Sequence, residues 1–129
     1  MSVAPLLLAV VEMGGYPSFT ALYREAGFQP EVASTMRKAQ SWLKSHRPQV
    51  VVTEFNFDPE FRDRMSNLES LLATLQRYGC AAKVIVLLDP EHRPRLDKVA
   101  ERFPIFAALE LPLTHEAMRA ALQRVTTET

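Results

Sequence analysis

The chain has 129 residues, a length that suits one hydrophobic core, so positions 1–129 are read as a single domain. Hydrophobic residues at 47% and charged residues at 23% match an ordinary soluble globular protein, and one cysteine, Cys80, excludes an internal disulfide or a thiolate metal cage. Fifteen basic residues balance fifteen acidic ones, so no net field favours DNA, RNA or an anionic membrane.

The apolar start from Leu6 to Val11 has no preceding Lys or Arg and is too short to span a bilayer. It reads as a strand, and a cytoplasmic location is expected. Further apolar runs follow at Val50 to Thr53, Val84 to Leu88 and Phe106 to Leu109. Their hydrophobicity is continuous rather than alternating, which fits parallel strands covered on both faces. A weaker strand, Gln29 to Ala33, contains Pro30, and proline confines it to a sheet edge.

Five helical stripes alternate with these runs. Phe19, Leu22, Tyr23 and Ala26 lead to Gly27 as a C-terminal cap; Met36, Ala39 and Leu43, flanked by Trp42, end before Pro48. Leu68, Leu71, Leu72 and Leu75 follow Asn67 as candidate N-cap and stop at Gly79. Leu96, Val99, Ala100 and Phe103 stop at Pro104, and Met118, Ala121, Leu122 and Val125 follow Thr114. Such stripes are core-facing surfaces. A β-α unit repeated five times, with right-handed crossovers, predicts a three-layer α/β/α sandwich around a five-stranded parallel sheet of order 2-1-3-4-5, a flavodoxin-like arrangement.

Along this order the chain resembles the receiver domain of two-component response regulators, the CheY-like module, over its whole length. The stretch that carries the likeness runs from Ala26-Gly27-Phe28 to His46-Arg47-Pro48-Gln49 and the strand ending Thr53-Glu54. It is similar to the family's glycine after the first helix, then "R-P-D" and a strand ending in the phosphoaccepting aspartate. Lys83 to Leu88 and Leu111-Pro112-Leu113 supply two more matches, the last similar to the family's "K-P-F" with its commonly cis peptide.

The resemblance also implies a phosphotransfer site, and there the residues depart from it. The acidic pair that holds Mg²⁺ at the end of the first strand corresponds to Glu12 and Met13, leaving at most one carboxylate; methionine offers no hard oxygen. The phosphoacceptor corresponds to Glu54, one methylene too long for in-line attack. In the family, Glu there imitates the phosphorylated state; read by itself, it is a carboxylate at a strand end facing solvent. The phosphoryl-binding Ser/Thr corresponds to Leu88, the lysine before the proline to Leu111, and the aromatic switch to Ala108. Neither leucine donates a hydrogen bond or supplies a cation. The expectation is a degenerate receiver, or pseudo-receiver, with no catalytic residue, metal or cofactor.

Other features lie outside the resemblance. The loop after Glu54 is longer than usual, and its Phe55, Phe57 and Phe61 suit either a turn packed over the old acidic pocket or a partner-binding surface. Gly14-Gly15 reads as a tight βα turn, since neither dinucleotide nor P-loop spacing is present. His46, His92 and His115 lack ligand spacing and read as solvated or capping residues. The charged run Asp89 to Lys98 reads as a loop and an exposed helix opening.

The expected function is a non-enzymatic signalling or adaptor role, independent of phosphorylation, through contact with an unknown protein partner. The family's partner face is drawn here from Arg95 to Arg102, Ala107 to Leu111 and His115 to Arg124, and it would also serve a homodimer. The competing reading is a flavodoxin-like domain binding a small ligand through donors near Gly14, Gly15 and Ser18.

Overall fold

The computed structural model describes residues 4–11, 19–55 and 67–127. Five strands alternate with five helices: β1 (Leu6–Val10), α1 (Thr20–Glu25), β2 (Gln29–Ala33), α2 (Met36–Leu43), β3 (Val50–Phe55), α3 (Asn67–Arg77), β4 (Lys83–Leu88), α4 (Arg93–Ala100), β5 (Ala107–Glu110) and α5 (His115–Thr127). The sheet is parallel throughout, in the order β2-β1-β3-β4-β5. Topology and strand order are those the sequence predicts. β2 pairs only with β1, so Pro30 sits on an edge where its missing N–H costs no ladder bond.

Successive strand side chains point to opposite faces, and the core divides accordingly. Leu8, Val10, Val51, Phe55, Val84, Val86 and Leu88 pack with α2, α3 and α4. Leu7, Ala9, Val50, Val52, Ile85 and Leu87 pack with α1 and α5. Helices therefore cover both faces, which explains why the central strands read as unbroken apolar runs.

Local chemistry sets the helix boundaries. Thr35 Oγ1 accepts from the Lys38 N–H at 3.0 Å at the start of α2, and Thr114 Oγ1 accepts from Ala117 N–H at 3.0 Å ahead of α5. Gly27 ends α1 at φ +95° and Gly79 ends α3 at φ +66°, a region L side chains rarely enter. After each glycine the chain closes the same pair of bonds. Phe28 N–H reaches Tyr23 O at 3.0 Å, and Cys80 N–H reaches Leu75 O at 2.9 Å, satisfying carbonyls the helix end leaves open. This turn leaves Cys80 half-buried, with its Sγ 3.7 Å from Pro48 O. The charged run at Asp89 opens with a 3-10 turn, Pro90–His92, before α4.

Several details differ from the sequence reading: β1 stops at Val10 and not Val11, and Asn67 is the first residue of α3 and not its N-cap. β3 continues one residue past Glu54, through Phe55, because Phe55 still pairs with Leu88. Ala100 is exposed, since α4 closes at that residue and Phe103 fills the core beyond it. β5 is displaced by one residue, from Ala107 to Glu110.

Truncating Leu122, fully buried on α5 between α1 and the sheet, to alanine should destabilise the protein by about 3 kcal/mol in urea unfolding. Gly27→Ala meets no neighbour within 4 Å, so any loss there isolates backbone strain, expected at about 1 kcal/mol in the same assay.

Candidate functional site

The carboxyl ends of β1, β3, β4 and β5 converge on one edge of the sheet, where parallel α/β folds place their ligands. Thr53 and Glu54 end the apolar run of β3 there, and among the described residues they are the buried polar pair, 1% and 3% exposed. Glu54 does not face solvent as its strand-end position suggested. Pleat parity turns it toward α1 and α5, where it lines a cavity of about 150 Å³ with Ala9, Val52, Leu87, Phe19 and Tyr23. Burial pushes the Tyr23 phenol well above its ordinary pKa, so it stays protonated across the physiological range. Thr53 points the other way, and its hydroxyl lies 3.4 Å from Glu54 O. The sequence reading missed Thr53 and Tyr23. Thr53 was legible as the first polar residue of a buried run, whereas Tyr23 was hidden in a helical stripe.

Phe55 is not a loop residue either. It is the last residue of β3 and 2% exposed, on the face opposite Glu54. The His92 ring meets it edge-on at 6.3 Å. His92 is thus half-buried rather than solvated, its Nδ1 has no hydrogen-bond partner among the described residues, and its Nε2 lies 3.5 Å from Glu91. His46 and His115 also hold rings: His46 stacks on Trp42 at 4.3 Å and His115 meets Phe19 at 5.3 Å. Glu12, Met13, Gly14, Gly15, Ser18, Phe57 and Phe61 lie outside the described residues.

Leu88 is fully buried at the end of β4, packed with α2, α3 and α4, and its carbonyl accepts from Leu111 N–H at 3.0 Å. Leu111, half-buried, leads directly into a cis peptide at Pro112. Ala108, on the same face as Leu88, is half-buried against the same core. Glu54, Leu88 and Leu111 thus lie at neighbouring strand ends, with Ala108 two residues back, opposite Val86.

No protein-family model and no curated protein sequence matches the chain. Solved structures do match. The chemotaxis protein CheY4 of Vibrio cholerae superposes with a TM-score of 0.74 at 21% identity, over 95% of this chain and 99% of that one. The inactive form of the regulatory domain of RitR, the repressor of iron transport regulator, gives 0.77 at 14% identity over 97% of each chain. The receiver domain of Francisella response regulator 1452 gives 0.70 at 15% identity, over 96% and 98%. The fold is that of the response-regulator receiver domain.

Receivers carry Mg²⁺ at this edge, and the described residues do not fit it. The ion needs several hard oxygen donors in near-octahedral array. Glu54 brings a buried carboxylate, Glu110 ends β5 and Asp89 follows β4, yet no three His, Cys, Asp or Glu among the described residues cluster as ligands; Glu12 and Met13 lie outside the described residues. No described helix is long and apolar enough to cross a membrane.

If Leu88 is core, Leu88→Thr should destabilise the protein by about 2 kcal/mol, because the hydroxyl is buried where methyl groups packed. Leu111→Lys, half-exposed, should cost less than about 1 kcal/mol, since its ammonium can reach water. Paired urea denaturation curves compare the two directly.

Proposed function

We propose that this chain is a degenerate receiver that signals or acts as an adaptor through protein contact, without phosphorylation and without catalysis of its own. The observation that carries this reading is Leu88, fully buried in hydrocarbon where a receiver binds a phosphoryl oxygen. Leu111, in place of the lysine, and Ala108, in place of the aromatic switch, support it. Glu54 occupies the phosphoacceptor position as a buried fixed carboxylate, and Glu12 and Met13 are what remains of the acidic pocket.

A phosphoryl group is stabilised by cations and hydrogen-bond donors placed before it arrives. Aliphatic side chains offer neither, so a phosphoryl transferred to this edge would meet no counter-charge from positions 88 and 111. Partner contact would then use the face of α4, β5 and α5, where Arg95, Lys98, Glu110, Glu116 and Arg119 are exposed, and a second copy could pair there. The phenylalanines Phe57 and Phe61 are a further partner element in this reading; Phe55, being core, is not.

The competing small-ligand reading has weaker support. A cavity of about 150 Å³ beside Glu54 takes a benzene-sized guest, well short of the several hundred Å³ a flavin or nucleotide needs.

The deciding experiment is incubation with a small acyl phosphate and Mg²⁺, followed by intact-mass measurement and Trp42 emission. The proposal expects no retained phosphate and no metal-dependent change. A stable phosphoryl group on Glu54, or a shift that requires Mg²⁺, would sink it.

A further inference from the structure

The sequence holds no Asp or Glu between Glu31 and Glu54, while Arg37, Lys38, Lys44 and Arg47 all fall in that interval. All four are exposed, on α2 and the turn that follows it. Arg77, exposed at the end of α3, precedes Tyr78, whose ring Arg47 covers at 5.2 Å.

Of the cations elsewhere, Arg93 is matched to Asp97 and Glu110, and Arg102 to Glu69. The α2 cations are not. Lys38 Nζ lies 3.2 Å from Ser34 Oγ, and Arg47 Nη1 donates to the carbonyls of Leu43 and His46. Among the described residues none of these four forms an ion pair. A neutral chain thus concentrates unneutralised positive charge on one helix.

We propose that the α2 face, from Arg37 to Arg47 with Arg77, docks an Asp/Glu-rich segment of a partner protein. The proposal rests on the protein-contact reading above but names a different surface from α4, β5 and α5. Guanidinium forks and mobile ammonium groups match carboxylates directly.

A single-stranded nucleic acid is the other polyanion, and the aromatic residues argue against it. Base binding needs an open ring face. Trp42 packs partly into the core, and its outer face is occupied by His46, coplanar within 1° at 4.3 Å. Tyr78 likewise packs on the core and is covered by Arg47.

The test is anisotropy of a labelled oligoglutamate peptide titrated with the full chain, with oligolysine and oligothymidylate as comparison probes. Trp42 is the sole tryptophan and sits within the face, so its emission locates the contact. Saturable oligoglutamate binding is expected, with a Trp42 change and weakening as salt rises. Arg37→Glu with Lys44→Glu should weaken binding at least about tenfold, and Arg24→Glu, exposed on α1, should leave it unchanged. Arg37→Gln with Lys44→Gln should weaken it in the same direction and guards against a fold defect, checked by circular dichroism. Lack of saturable binding, equal loss in Arg24→Glu, an unmoved Trp42, or tighter binding of oligothymidylate would overturn the proposal. The phosphodonor experiment is unaffected by any of these results.

Discussion

Two-sided burial of β1, β3 and β4 is the constraint on which the rest of the structure depends. Each strand must supply apolar groups to both faces, and each step along it reverses the face. A shift of one residue in register would exchange the whole of one core layer for the other. The pairing Glu54 with Leu87 and Phe55 with Leu88 therefore sends the carboxylate to the α1 and α5 side and the phenyl ring to the α2, α3 and α4 side. The position of the candidate site follows from packing that has nothing to do with its chemistry.

That packing also explains how the edge can lose polar groups and keep its shape. Leu88 lies at the end of a strand already buried on both faces, so a hydrocarbon there continues the core instead of interrupting it. Its backbone still accepts from Leu111, and backbone ladders do not depend on which side chain is attached. A leucine at this strand end is therefore compatible with the fold, and fold and chemistry separate at this edge.

The fold was legible because the signals were redundant. Each helix stripe, the glycines at 27 and 79, Pro30 at an edge and Thr114 before α5 pointed to the same arrangement. The site was less legible, for a specific reason. Sequence marks where a strand's apolar run stops, and the run from Val50 stops at Thr53, but burial continues for two more residues. A carboxylate ordinarily signals the surface, so by sequence Glu54 reads as solvent-facing and Phe55 as loop. Here the neighbouring strand end and α1 cover it, a tertiary fact absent from local composition. His92 differs for the same reason, half-buried against Phe55, which lies far away in sequence, whereas His46 and His115 are exposed as the sequence predicts.

The neutral total charge carries a further lesson about scale. A sum of zero excludes a strong field at long range, yet it does not describe any one face. Screening confines exposed charges to roughly 10 Å, so a partner at contact distance senses local arrangement rather than the total. Arg93 and Arg102 have carboxylates on other elements, Glu110 of β5 and Glu69 of α3, so their charge is partly matched and links two elements at the surface. The cations of α2 have no such partner among the described residues, and clustering them raises mutual repulsion without joining two elements. An incoming row of carboxylates would relieve that repulsion and add attraction at once, which is why the arrangement favours association over stability.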